Sequence, residues 1–280
     1  MTIRTISRAA LALAGLLGAL PAQAVSIFGQ DFQLNNVAAY GANFVQLTRS
    51  DVTFYRGSAT MSAPLSLVDS FDVAFSFRIL GGTDGADGFT LAFQNSDFRF
   101  LALPGGNLGF HTVRGLDGRP LRSGPAYAIA VDTYRNSDYG DRDDNHVSTL
   151  DNSSYLTRFA APSPWDLNSG EELFAWVQYD AQATQVSVFL NDSSTRPASA
   201  LLVDTIDLRG WLGEQSFIGF TAATGGLTNA HVITSFALTH RVPEPSSWAL
   251  MAAGLGMVSL VAWRRRGFAA RAAPGVTASA

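Results

Sequence analysis

The stretch Phe71-Asp72-Val73-Ala74-Phe75-Ser76-Phe77 has an apolar residue at every second position. Because side chains alternate between the two faces of a β-strand, this period of two predicts a strand with one buried face. The same alternation recurs at 184–190 and 232–238. Shorter candidate strands are bounded by Gly, Asn, Asp and Pro: Phe44–Leu47, Phe89–Phe93, Asn107–His111, Tyr127–Asp132, Leu173–Tyr179 and Phe217–Ala222. About a dozen strands between residues 28 and 240 predict an all-β, antiparallel β-sandwich.

The composition of the chain excludes several classes of protein. With 47% hydrophobic and 15% charged residues among 280, the chain can bury a core and is not a disordered polymer. It contains no Cys, which removes disulfides and thiolate metal sites. Its basic residues are all Arg, and seven of the 19 lie in the terminal segments, which leaves an acidic body. We therefore expect no nucleic-acid partner, since nucleic-acid binding requires clustered positive charge.

The N-terminus has the order of parts of a secretory signal. Arg4 and Arg8 precede an apolar stretch that ends in Ala22-Gln23-Ala24. Positive charge, an apolar run and a small-residue cleavage site are the three parts of a signal peptide. We expect residues 1–24 to be this peptide, with cleavage after Ala24.

The C-terminus combines a chain break, an apolar run and a basic cluster. Val242-Pro243-Glu244-Pro245 is followed by 18 uncharged residues, 246–263, and then by Arg264–Arg266. At ~1.5 Å per residue the run would be about 27 Å long, close to the thickness of a bilayer core. This order resembles the PEP-CTERM sorting signal of Gram-negative bacteria. The resemblance implies transient insertion in the inner membrane as a single apolar helix, and cutting near Pro243–Pro245 by an exosortase-type enzyme. The expected domains are 1–24 signal peptide, 25–241 β-sandwich, 242–266 sorting signal and 267–280 C-terminal tail.

The segment 130–146 is unusually rich in oxygen donors. It carries Asp132, Asn136, Asp138, Asp141, Asp143 and Asp144. Like charges this close are unfavourable unless a cation or water compensates them, so a calcium loop and a solvated acidic loop are both open. No phase of the segment gives the Gly and Glu that an EF-hand requires.

The spacing of Asp132, Asn136, Asp141 and His146 resembles the metal loop of the legume-type (L-type) lectins. The resemblance implies calcium held by the side chains of Asp132, Asn136 and Asp141 and by the backbone carbonyl of Tyr134. Plant members also hold a transition metal such as Mn²⁺, with a Glu at the position of Ala130. Without that carboxylate we expect no strong second metal, and His146, the possible ligand of such a metal, is expected to be structural.

Three further segments resemble the same family in the same chain order: Asp84–Phe93, Gly105–Phe110, and Ile218–Gly225 followed by His231–Phe236. The resemblance implies a concanavalin-like jelly roll and a cis peptide bond between Ala86 and Asp87. It also implies a sugar site with a carboxylate, an amide, a backbone N–H and an aromatic plate. The expected sugar-binding residues are Asp87, Gly105, Gly106, Tyr134, Asn136, Gly225 and Gly226.

Together these features predict calcium-dependent, noncovalent carbohydrate binding by a protein exported to the surface or surroundings of a Gram-negative bacterium. The expected partner is a glycan or exopolysaccharide, and a homodimer remains open. One alternative is a structural matrix protein that keeps the fold without sugar affinity. A polysaccharide hydrolase is disfavoured, because the adjacent Glu171 and Glu172 would point to opposite faces of a strand.

Overall fold

The computed structural model describes residues 31–81, 84–95, 101–110, 124–153 and 156–241, together with residues 254, 255 and 257. These residues form a two-sheet β-sandwich in which all strand pairs are antiparallel, as predicted. The strands are β1 Phe32–Asn36, β2 Ala39–Tyr40, β3 Val45–Gln46, β4 Arg56–Met61, β5 Leu65–Ser66, β6 Ser70–Leu80, β7 Gly88–Gln94, β8 Ala126–Asp132, β9 His146–Asp151, β10 Phe159–Pro162, β11 Leu173–Asp180, β12 Gln185–Asn191, β13 Leu202–Thr205, β14 Gln215–Ala223 and β15 Ala230–Arg241. A short helix, α1, covers Leu208–Leu212.

The two sheets interleave segments that are distant in the chain. The first has the order β1-β4-β14-β7-β8-β9-β10, with β5 paired to β14. The second has the order β13-β12-β11-β6-β15-β3-β2. Because β14 and β15 lie inside different sheets, the end of the domain joins both layers.

The alternating stretch that predicts the sandwich forms the middle of β6. Phe71, Val73, Phe75 and Phe77 are all buried, which confirms the predicted face. The rings of Phe75 and Phe77 meet rings of the opposite sheet edge to face, with centroids 4.9 Å apart for Phe77 and Phe89. Edge-to-face aromatic pairs add to the free energy gained from apolar burial, so this phenylalanine cluster holds the two layers together.

The predicted strand at 107–111 is wrong where the structure describes it. Gly105–Asn107 form a 3₁₀ turn, and Leu108 continues it in a left-handed conformation. The apolar side chains of Leu108 and Phe110 do not extend a sheet. They pack on Ala128 and Ala130 of β8, in a second apolar cluster separate from the main core.

Strand register gathers several chain segments at one end of the first sheet. Gly88 pairs with Asp132, Asp132 pairs with His146, and Ala223 pairs with Gly88. Four strand ends therefore lie in one row across the sheet, and the loops that leave them must meet.

Both terminal predictions fall largely outside the described residues. The signal peptide at 1–24 lies outside them entirely, as do the tail at 267–280 and the cleavage region, and residues 254, 255 and 257 are the described part of the apolar run. Within the described part of the chain, no helix has the length and apolar character needed to span a membrane.

Candidate functional site

Two carboxylates and an imidazole converge at the row of strand ends. Asp132 closes β8, His146 opens β9, and Asp141 comes from the loop between them. One ligand atom from each of these three buried side chains lies within 4.8 Å of the others. The predicted metal residues Asp132 and Asp141 are thus brought together, although they are nine residues apart in the sequence.

The two carboxylates are held in place by backbone N–H groups of their own loop. The N–H of Tyr134 donates to Asp132 Oδ1 at 3.0 Å, and the N–H of Asn136 donates to Asp141 Oδ2 at 2.9 Å. Thr157, which no sequence motif singled out, donates its hydroxyl to Asp141 Oδ1 at 3.2 Å.

Burial makes the metal-free form of this pair unfavourable. Burial, and after it the negative charge of Asp141, raises the pKa of Asp132 well above its usual value. Burial also raises the pKa of Asp141. Two buried carboxylates that resist ionisation are suited to a hard divalent cation, which would compensate their charge.

Asn136 offers a further oxygen to the same place. Its side-chain Oδ1 is buried and has no hydrogen-bond partner among the described residues. The side chain lies against Gly106, where an added Cβ would sit only 2.2 Å from Oδ1. Position 106 must therefore be glycine for Asn136 to occupy this place, and the predicted neighbours Gly106 and Asn136 are in contact. A buried amide oxygen without a donor adds to a donor set that fits calcium.

Asp87 lies on the other side of Asp132 and has an unpartnered oxygen of its own. The Ala86–Asp87 peptide bond is cis, as the resemblance implies. The backbone of Asp87 donates to Ala223 O at 3.1 Å and accepts from the N–H of Thr133 at 2.9 Å. Its Oδ2 is buried without a partner among the described residues, and burial raises the pKa of Asp87 to about 7. This carboxylate is a fixed acceptor that lacks a donor.

The remaining predicted sugar residues surround Asp87 to different degrees. A Cβ at Gly225 would lie 2.9 Å from Asp87 Oδ2, which places Gly225 beside the carboxylate. Gly105 donates its N–H to Thr224 O at 3.1 Å, so the turn at 105–107 reaches the loop after β14. Tyr134 is 41% exposed and can offer a ring face to a ligand. Gly226 is exposed with no atom close to its missing Cβ, so the structure does not bring it against the other residues.

Not all of the acidic loop takes part. Asp138 and Asp144 are exposed, and Asp143 caps the turn by accepting from the N–H of Asn145. The structure therefore gathers Asp132, Asn136 and Asp141, while Asp138 and Asp144 face solvent. Asp143 is only partly exposed, and its Oδ1 lies 3.3 Å from His146 Nδ1.

His146 is better placed for a metal than the sequence predicts, whereas Ala130 is not. The Nδ1 of His146 donates to the carbonyl of Asp143 at 3.0 Å, which leaves the lone pair on Nε2. That Nε2 is buried without a hydrogen bond to any described residue, 3.7 Å from Asp141 Oδ1. Ala130, by contrast, is buried and has only a methyl group as its side chain. It supplies no ligand atom to this place.

The sequence gives no sign of the hydrogen bonds that hold the loop after β14 in place. The segment 47–55 runs alongside the loop 224–230 in space and forms several hydrogen bonds with it. In one of them, Thr48 Oγ1 donates to Asn229 O at 2.9 Å. The N–H of Thr224 donates to the carbonyl of Tyr55 at 2.8 Å, and the N–H of Phe54 donates to the carbonyl of Gly225 at 3.0 Å. The two segments are about 170 residues apart, and neither carries a pattern that predicts their pairing.

A two-sheet sandwich with buried carboxylates and a buried amide at one row of strand ends defines a lectin-like class of protein. The family model for the legume lectin domain matches residues 26–250, which is most of the chain. The chain belongs to the legume lectin family. A model of the PEP-CTERM protein-sorting motif matches residues 241–266.

Curated relatives include plant receptor kinases. The chain is 35% identical over 167 residues to the L-type lectin-domain containing receptor kinase S.7 of Oryza sativa subsp. japonica, covering 59% of this chain and 24% of the relative. It is 29% identical over 231 residues to the receptor kinase VIII.2 of the same type from Arabidopsis thaliana, covering 78% of this chain and 30% of the relative. The chain thus spans less than a third of the length of these relatives.

Solved lectins share the fold. The structure of basic winged bean lectin with Tn-antigen matches with a TM-score of 0.65 and 24% identity, over 76% of this chain and 93% of that chain. The lectin from Bauhinia forficata in complex with GalNAc matches with a TM-score of 0.64 and 23% identity, over 76% of this chain and 93% of that chain. These likenesses establish the two-sheet lectin architecture.

Proposed function

We propose that this chain binds carbohydrate noncovalently and in a calcium-dependent way, through the residues gathered around Asp87. The observation that carries the proposal is the set of buried, unpartnered oxygens at one place. Asp87 Oδ2 and Asn136 Oδ1 are both buried without a donor among the residues that the structure describes, and both lie against a glycine. A buried acceptor without a partner is costly, so these atoms are suited to a ligand that supplies donors or charge.

The contacts of each residue indicate whether it would bind the sugar or the cation. Asp87 would accept hydroxyl groups of a sugar, and the exposed ring of Tyr134 would cover an apolar sugar face. Asn136 would turn its Oδ1 to the cation and its Nδ2 to the sugar, so one side chain joins the two ligands. Calcium, when bound, would be held by Asp132, Asn136, Asp141 and the carbonyl of Tyr134, and would compensate the buried charge.

A strong second metal is not part of the proposal. Asp132, Asp141 and His146 would offer it two carboxylates and one imidazole. At the position of the missing fourth ligand, the buried Ala130 offers a methyl group and no ligand atom. We expect any transition metal bound here to be weak and substoichiometric.

Export is proposed from the ends of the chain. The PEP-CTERM motif at 241–266 supports delivery to the surface or surroundings of a Gram-negative cell, with exosortase-type processing. The residues of the predicted signal peptide, 1–24, are consistent with this route. A surface glycan or exopolysaccharide is then the partner that such a protein would meet.

The deciding experiment is a glycan-array screen of the exported protein, performed in calcium and again in chelator. Glycan binding that disappears in chelator and returns with calcium supports the proposal. Calcium binding without any glycan binding would instead support a structural matrix protein with the lectin fold. Release of new reducing ends from a polysaccharide would contradict both and indicate a hydrolase.

A further inference from the structure

An exposed aromatic ring lies at the edge of the proposed sugar site. Phe54 is 66% exposed, although it is a phenylalanine in a chain that buries most of its aromatic rings. Its φ is 56°, in the left-handed region that bulky residues rarely adopt. A large apolar side chain held in solvent in this conformation has no role in the core.

The position of Phe54 is fixed from both sides. Its own N–H donates to the carbonyl of Gly225 at 3.0 Å. The next residue, Tyr55, receives the N–H of Thr224 at 2.8 Å on its carbonyl and donates its own N–H to Thr224 Oγ1 at 3.0 Å. Thr224 Oγ1 also donates to Val52 O at 3.1 Å. These hydrogen bonds fix the backbone on both sides of residue 54, so the side chain of Phe54 projects from an anchored segment.

The backbone to which Phe54 is bonded lies beside the carboxylate of Asp87. Gly225, which accepts from Phe54, is the residue whose missing Cβ would lie 2.9 Å from Asp87 Oδ2. On the opposite side of Asp87, its carbonyl accepts from Thr133, the residue before Tyr134. Phe54 is therefore hydrogen-bonded to a direct neighbour of the Asp87 carboxylate, and Tyr134 follows a hydrogen-bond partner of Asp87 in the chain.

We propose that Phe54 forms a second sugar subsite, which stacks against the monosaccharide unit next to the one held by Asp87. The inference rests on the proposed carbohydrate function and extends it to the substrate class, an oligosaccharide of at least two units. Sugars present an apolar C–H face that packs on aromatic rings, and a rigid ring gives this contact at little cost in conformational entropy. Because Gly225 links Phe54 to Asp87, we expect one sugar unit to be held at Asp87 and the next unit to meet the ring.

The test compares each sugar with its own extension. Isothermal titration in saturating calcium would measure methyl β-D-galactoside against lactose, methyl α-D-mannoside against α-1,3-mannobiose, and methyl β-D-glucoside against cellobiose. We expect the disaccharide of the preferred sugar to bind about tenfold more tightly than its monosaccharide, the gain typical of covering one exposed ring. Phe54→Ala should remove that gain and leave monosaccharide affinity within about twofold.

Two further variants separate the ring from the loop. Glycine suits the left-handed backbone at position 54, so Phe54→Gly should keep the loop intact even if Phe54→Ala does not. Phe54→Gly should likewise lose the tighter binding of the disaccharide. Phe54→Trp should restore it. The matched control is Phe159→Ala, which removes a phenylalanine of similar exposure (47%) from the edge strand β10 and should leave both affinities unchanged.

Several outcomes would overturn the subsite. Equal loss of monosaccharide and disaccharide affinity in Phe54→Gly would show that residue 54 only supports the loop. If Phe54→Ala and Phe54→Gly both still bound the disaccharide about tenfold more tightly than the monosaccharide, the second sugar unit would lie elsewhere. A gain for p-nitrophenyl glycosides but not for disaccharides would assign the ring to an apolar aglycone. Wild-type protein that binds calcium but none of these sugars would defeat the proposed function itself, and the subsite with it.

Discussion

Two loops meet at Asp87, and they are held in place in different ways. The loop 132–146 contains buried groups that no described residue satisfies, such as Asn136 Oδ1 and His146 Nε2. The loop 224–230 is bonded along its length to the segment 47–55, through Thr224, Gly225, Thr228 and Asn229. Under the proposed function, one side of the site would be completed by an added ion, whereas the other is held by protein hydrogen bonds.

This difference between the loops allows the contribution of calcium to sugar affinity to be measured separately from that of the protein hydrogen bonds. Removing calcium should disorganise the Asn136 and Tyr134 side, while Gly225 and Phe54 keep their positions. Weakening the bonds of the loop 224–230 should do the reverse. Each variant below therefore predicts a different combination of metal binding, stability and sugar affinity.

The largest effect is expected from Asp141→Ala. This change removes one of the two buried carboxylates and the anchor of the Asn136 N–H. We expect calcium binding, measured by titration calorimetry, to fall by about 100-fold or more, and the rise in Tm on adding calcium to vanish. Sugar binding should be lost with it. Asp144→Ala, an exposed acid of the same loop, is the control and should keep one calcium per chain. A calcium-dependent rise in Tm that survives in Asp141→Ala would exclude this metal site.

A second prediction separates the sugar ligand from the metal ligands. Asp87→Ala removes a buried charged acceptor worth about 1.5 to 3 kcal/mol, so sugar affinity should fall at least about tenfold. Calcium binding should persist, because Asp132 and Asp141 are unchanged. Asp84→Ala, an exposed acid three residues earlier, should bind sugar as the wild type does. Full glycan affinity in Asp87→Ala would move the sugar site away from this carboxylate.

The sequence predicts strand faces well, because the alternation of side chains along a strand is a local property. The alternation at 71–77 predicts the buried face of β6, and the structure confirms it. For the loop at 130–146 the residues alone left a solvated acidic loop open, and the expectation that Asp132 and Asp141 act together came from the resemblance to the lectin metal loop. The structure does bring these two acids together.

What the sequence does not predict depends on contacts between distant segments. Nothing in residues 47–55 predicts that they bond to residues 224–230, or that Phe54 is held beside Gly225. The strand expected at 107–111 fails for a similar reason: the apolar residues Leu108 and Phe110 pack on β8 from a turn, not from a sheet. Tertiary packing here overrides the local preference.

The pH dependence of stability should distinguish the ion-dependent loop from the rest. In metal-free protein, burial raises the pKa of Asp87 to about 7 and that of Asp132 well above its usual value. A folded carboxyl with a raised pKa keeps a proton that the unfolded chain has released, so stability falls as pH rises. We expect Tm in chelator to fall by about a few degrees between roughly pH 6.5 and 8.

Two features make this measurement specific. Burial lowers the pKa of His231 to about 3, so this group destabilises the fold only below the pKa of an unfolded histidine, about 6.5. The chosen window avoids that opposing effect. In saturating calcium the ionised carboxylates are compensated and the fall in Tm should disappear. An equal fall with and without calcium would show that other groups cause it.

The smallest effect is expected where protein alone holds the site. Thr224→Val keeps the side-chain volume but removes the Oγ1 that receives Tyr55 N–H and donates to Val52 O. Leaving a partly buried N–H and carbonyl without this partner costs about 0.5 to 1.5 kcal/mol, which should appear as a lower Tm. The loss of order at Gly225 should weaken sugar binding by about three- to tenfold. Calcium affinity should not change, since the Oγ1 of Thr224 is bonded to the segment 47–55. Thr205→Val, on the exposed edge strand β13 of the second sheet, serves as the control. A loss of calcium affinity in Thr224→Val would mean that the two loops are coupled and that the division between ion-held and protein-held sides is wrong.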